Sequence, residues 1–158
     1  MLLLNIIFVV LLLGFIGNGY KDGFIQTLGR AVGAVLGFIL AQAWSGALAG
    51  PLKIVVPDAW ANVVAFLSVL LVVTWIVGFV VKLLDGAYKV LSFIPFLKSI
   101  NSVLGAVIGL LLSFLILGGG IWLLQKYPLV PSLMPLLAGS AVAKFILGVF
   151  HKMLAFVL

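Results

Sequence analysis

Residues 1–45 read MLLLNIIFVVLLLGFIGNGYKDGFIQTLGRAVGAVLGFILAQAWS, and seven residues inside them, Gly17-Asn18-Gly19-Tyr20-Lys21-Asp22-Gly23, decide the fold. On either side lies an apolar run long enough to cross a hydrocarbon core, which takes about 20 helical residues at 1.5 Å each. The run from Met1 to Gly19 carries no charge, and the run from Phe24 to Ser45 carries only Arg30. Three glycines and an Asn between them reach left-handed conformations at little cost, so the spacing predicts a tight reversal between two helices. Asp22 stands where an N-cap of the second helix belongs.

Working outward, Ala47 to Asp58 reads as a loop, with Gly50-Pro51, Lys53 and Pro57. A third run, 59–81, has Trp60 and Trp75 toward its ends, where amphipathic rings prefer the interface. Lys82, Asp85 and Lys89 continue it as one charged stripe at helical spacing, and Pro95 is expected to end it. Ser99, Asn101 and Ser102 offer caps for a fourth run, 103–125, which closes on a belt of Trp122, Lys126 and Tyr127. Pro128, Pro131 and Pro135 make the next stretch irregular. In the last segment Lys144, Gly148, His151 and Lys152 share one helical face, and Phe145, Ile146, Val149, Phe150, Met153 and Leu154 lie largely on the other. A span there would drag two lysines through hydrocarbon, so this segment is expected to lie in the interface.

Composition points the same way. Of 158 residues, 66% are hydrophobic and 8% charged, and a soluble chain this small could not cover that surface. The expectation is one all-α integral membrane domain over 1–158. It has four transmembrane helices, at about 2–19, 24–45, 59–81 and 103–125, and a C-terminal amphipathic interfacial helix at about 136–158. No basic residue precedes the first run and no clear small-residue cleavage site follows it, so it reads as retained rather than as a signal peptide. The net charge of +6 comes from cations scattered singly beside apolar runs, which favours anionic lipid headgroups of the bilayer over nucleic acid as the partner. Basic residues are slightly denser around Lys21, Lys82, Lys89 and Lys98 than around Lys53 and Lys126, a weak bias for non-cytoplasmic termini that Lys144 and Lys152 nearly cancel.

The strongest pattern is Gly29, Gly33 and Gly37, continued by Ala41 and Ser45 at the same four-residue spacing. Such an edge lets another helix approach until backbones touch, which is how helices associate in lipid. Asn101, Gly105, Gly109 and Ser113 form a matching edge. One reading packs these two helices against each other. The sharper readings make the glycines a self-association surface for a homo-oligomer, or the lining of a path in a small channel or transporter. Arg30 is the one cation inside a predicted span, either a functional intramembrane charge or a side chain snorkelling toward the surface that holds Asp22. Asn5 could hydrogen-bond across the bundle. The only His is His151, and Asp22, Asp58 and Asp85 all sit in connections; with no Cys either, no catalytic, cofactor-binding or metal-binding residue is predicted.

Two short motifs carry a resemblance. Gly19-Tyr20-Lys21-Asp22-Gly23-Phe24-Ile25 at the first reversal, with Asn101-Ser102-Val103-Leu104-Gly105-Ala106-Val107-Ile108-Gly109 opening the fourth run, resembles the colicin V production protein family. Within these motifs Gly19, Tyr20 and Gly23 match the hairpin, and Asn101, Gly105 and Gly109 the fourth span. The resemblance implies a non-enzymatic, multi-pass protein of the bacterial inner membrane, accessory to production or export of a peptide toxin or to envelope homeostasis. Secretion or envelope proteins are its implied partners. It implies no cofactor and supplies no catalytic residues.

Overall fold

Hydrocarbon offers no partner to a backbone N–H or C=O, so long apolar runs are driven into helix, where each residue satisfies its own neighbours. A computed structural model describes residues 2–88, 95–127 and 130–157. In order along the chain these form α1 (Leu2–Leu52), α2 (Asp58–Tyr88), α3 (Pro95–Lys126), α4 (Leu133–Gly139) and α5 (Ala141–Val157). Large apolar side chains face outward along them, among them Val10, Leu13, Leu71 and Trp75. Lipid is the medium such a surface requires.

Three helices are long and apolar enough to cross a membrane among the described residues: Leu2–Leu52, Trp60–Leu83 and Ser99–Lys126. The pair Leu133–Gly139 and Ala141–Phe156, bent by 84°, would raise the number to four if it formed one span. A straight α1 of 51 residues would be about 76 Å long, more than twice a ~30 Å core. It is not straight. Gly23 is non-helical at φ 79 and ψ 179, a region open essentially to glycine alone. Phe8, before the break, packs in one cluster with Ile121 of α3, while Phe38, after it, meets Trp122 of the same helix. Both halves of α1 therefore run alongside α3, and α2 packs along the second half.

The boundaries differ from expectation in three places. The reversal narrows to one residue, because the helix persists through Asp22 and only Gly23 leaves it. The loop expected over 47–58 shrinks to 53–57, since α1 runs on to Leu52. Pro95 opens α3, as suits a residue whose missing N–H costs nothing in the first turn; the stretch 89–94, over which α2 is expected to run up to it, lies outside the described residues. The single amphipathic helix expected at 136–158 is two, divided at Ser140, whose backbone is extended at φ −84 and ψ 117. Lys89 and Pro128 lie outside the described residues, as do the side chains of Asp85 and Lys98.

The core is aromatic at its centre. Phe38 meets Phe66, Trp122 and Phe150 edge-on, with ring centroids 5.6, 5.4 and 5.5 Å apart, the arrangement ring quadrupoles prefer. Those rings come from α1, α2, α3 and α5. Along α5, Ala143, Ile146 and Phe150 are buried, whereas Lys144, His151 and Lys152 are exposed. Ser140 seats this helix: its Oγ accepts from Ala143 N–H at 3.0 Å and donates to Asn5 Oδ1 at 2.5 Å. Asn5, near the start of the first apolar run, thus bonds across the bundle to a residue 135 positions away.

Candidate functional site

The bend at Gly23 gathers a cluster of polar side chains, Asp22, Thr27, Arg30 and Asn101. Breaking a helix leaves the first N–H groups of the next segment without partners. Asn101 of α3 supplies one, its Oδ1 accepting from Phe24 N–H at 3.1 Å. Since α3 is already helical from Pro95, Asn101 is not needed to cap its own helix and caps α1 instead. Asp22, expected to be that cap, forms an ion pair with Arg30. Thr27 fills the inside of the bend, its hydroxyl donating to Gly23 O at 2.7 Å and reaching Gly19 O at 3.4 Å.

Glycine makes this geometry sterically possible. A Cβ on Gly19 would strike the backbone of Gly105 and come within 3.1 Å of Gly109 Cα. One on Gly105 would lie 2.6 Å from Gly23 C and 2.8 Å from Gly23 Cα. One on Gly109 would sit 2.5 Å from Phe15 O. A Cβ on Gly23 would collide with the Asn101 side chain, besides requiring its positive φ. At Gly19, Gly105 and Gly109 backbone meets backbone, so no side chain could shift to relieve a substitution there.

Gly29, Gly33 and Gly37 face a different neighbour. An added Cβ would come within 2.8 Å of Val81 Cβ at Gly29, 3.2 Å of Val77 Cβ at Gly33, and 3.0 Å of Leu70 O at Gly37, all on α2. Thr74 of α2 also donates to Gly33 O at 3.3 Å. The two small-residue edges thus do not meet each other. The bend turns the Gly105 and Gly109 edge toward Phe15, Gly19 and Gly23, and leaves α2 to occupy the other. Nor does the second edge border an open path within the chain, because α2 side chains cover it.

Arg30 sits about two turns past the bend and reaches back to Asp22, with the paired side chains 41% and 32% exposed. A pair that wet contributes on the order of 0.2–1 kcal/mol. Its value lies in neutralising a cation within an apolar helix. Arg30 also lines a small cavity of about 120 Å³ with Asn18, Thr27 and Thr74. Tyr20 points outward and is exposed. The other carboxylate with a described partner, Asp58, lies 3.6 Å from Lys53 in the loop. Among the described residues no three His, Asp or Glu side chains come together as a metal would require.

Linear reading missed the hydroxyls Thr27, Thr74 and Ser140. The available signal was their presence in apolar runs, where a hydroxyl must find a backbone partner. Only the fold says which one.

Long apolar helices joined by a glycine elbow define a multi-pass α-helical membrane protein. The chain belongs to the colicin V production protein family, whose profile matches residues 4–151. The elbow and its α3 partners, Gly19, Gly23, Asn101, Gly105 and Gly109, all fall within that range. No curated protein matches the chain. No solved structure matches it either.

Proposed function

We propose that this chain is a non-enzymatic component of the bacterial inner membrane, accessory to production or export of a peptide toxin or to upkeep of the envelope, and that it works through helix packing. Each half of α1 then makes its own crossing, so that with α2 and α3 the bundle crosses four times, and α5 lies at one surface with its lysines toward anionic headgroups. The observation that supports this reading is the pair of glycine contacts, backbone against backbone between α1 and α3 and glycine against Leu70, Val77 and Val81 between α1 and α2. They occupy inner edges of α1 and α3 and join α2 and α3 to α1, leaving outer apolar faces for lipid and for partner proteins of the secretion or envelope machinery. Family membership supports the same role, because colicin V production proteins are not known as enzymes.

Gly33→Ile tests it. The new side chain must push Val77 and Thr74 away and so separate α2 from α1. In a strain lacking its own family member, the wild-type gene should restore secreted toxin, read as a clearing zone on a sensitive lawn. Gly33→Ile should not restore it at equal membrane abundance, while Gly14→Ile, at a position with no neighbour within 4 Å, should. A wild-type zone from Gly33→Ile would refute the packing mechanism.

A further inference from the structure

Helix α2 packs along the second half of α1, and among the described residues its backbone stays apart from that of α3, which it meets through side chains such as Phe66 against Trp122. A cleft of about 330 Å³ is left between α2 and α3, floored by Phe38 and walled by Leu67 and Leu71 on one side and Ile116 and Gly120 on the other. Toward the elbow, past Leu71 and Thr74, lies a second hollow of about 490 Å³, bordered by Gln26, Arg30, Trp75, Phe79 and Lys82. Leu71 and Thr74 line both, so the two hollows adjoin along α2, the first apolar and the second bordered by cations.

The rim is built from charge and ring together. Arg30 carries five N–H donors in a planar fork, and a carboxylate such as Asp22 occupies at most two of them. Lys82 is exposed at the same rim, and among the described residues no acidic side chain lines either hollow. Trp75 and Phe79 stack at 6.0 Å and 18° to form a wall, with Trp75 72% exposed. An amphiphile with an anionic head and an apolar chain matches this sequence of surfaces. A soluble anion would leave the apolar length empty, and a neutral lipid would offer no anionic group to Lys82 or to the remaining Arg30 donors.

We propose that the two adjoining hollows bind one anionic phospholipid, its phosphate between Arg30 and Lys82 and one acyl chain running past Leu71 toward Phe38 and Gly120. The proposal goes beyond the packing role and would stand or fall separately from it.

The test is native mass spectrometry of the full chain in non-ionic detergent with equimolar phosphatidylglycerol and phosphatidylcholine. One phosphatidylglycerol should be retained in preference. Lys82→Gln should lower that preference about fivefold, as expected from about 1 kcal/mol per basic residue at a membrane surface. Gly120→Leu should abolish it: the position has no neighbour within 4 Å and leucine favours helix, so the fold is kept while the side chain enters the cleft. Unchanged far-ultraviolet circular dichroism confirms folding of each variant. Equal retention of both lipids by the wild type would overturn the proposal. So would phosphatidylglycerol retention that neither substitution alters, or displacement of the lipid by inorganic phosphate alone with Gly120→Leu behaving as wild type, which would reduce the rim to a simple anion site.

Discussion

Gly105→Ala isolates what the elbow costs to disturb. Within α3, replacing glycine by alanine should by itself stabilise the helix by about 1 kcal/mol, because alanine loses less backbone entropy on folding. At Gly105 the added methyl would lie 2.6 and 2.8 Å from backbone atoms of Gly23 and would strike Gly19 O, none of which can rotate away. Overpacking of this kind costs about 1–3 kcal/mol where neighbours can adjust, and here relief requires moving a whole helix. Separation would also lengthen the Asn101 to Phe24 bond, 3.1 Å long, worth a further 0.5–1.5 kcal/mol or so. The sum, less the propensity gain, predicts net destabilisation of about 1–3 kcal/mol. Gly14→Ala is the matched control, with no neighbour within 4 Å, and should be neutral to stabilising by up to about 1 kcal/mol. Reversible unfolding in mixed micelles at rising dodecyl sulfate fraction, followed by circular dichroism, measures both. A Gly105→Ala protein as stable as its Gly14→Ala counterpart would refute the claim that backbones touch at this crossing.

Three other substitutions test neighbouring parts of the argument. Asn101→Ala removes the cap supplied across the bundle and should cost about 1 kcal/mol in the same unfolding assay, the usual loss on deleting a cap. Ser140→Ala removes both the cap of α5 and the bond to Asn5; hydrogen exchange should accelerate through 141–157 by about tenfold while α3 stays protected, the factor expected from about 1.4 kcal/mol. Phe150→Ala empties the centre of the aromatic cluster, where Phe150 is wholly buried. In water such a change costs about 3–5 kcal/mol, but in lipid the transfer share is absent and packing alone is lost, so a smaller loss should appear as faster labelling of a cysteine placed at the buried Ala143 in this Cys-free chain.

The apolar runs made the helices legible, and the glycines around 17–23 made the bend legible, because both signals are local. Where the bend falls was not. Asn18, Gly19 and Tyr20 are poor helix formers, yet they remain helical because Gly105 and Gly109 hold Gly19 in place, a tertiary effect that overrides propensity. Pro95 reads as a stop for one helix and stands as the start of the next, since proline suits both places and its own position does not say which. Glycine edges announce that some helix will come close without naming it. Which of α2 and α3 takes which edge depends on the sense in which Gly23 turns the chain. Asn101 shows the same limit, since its value as a cap lies 77 residues away in sequence.

The seat of α5 has a consequence for biogenesis. It is assembled from Phe8, Phe38, Gly118 and Ile121, which belong to both arms of α1 and to α3. During synthesis no docking place exists for α5 until those earlier segments have entered the bilayer and found one another, so its engagement is the closing event. A nascent chain with a faulty elbow would keep Ile146 and Phe150 uncovered, and that exposed side is the feature by which a membrane protease could tell unfinished molecules from completed ones.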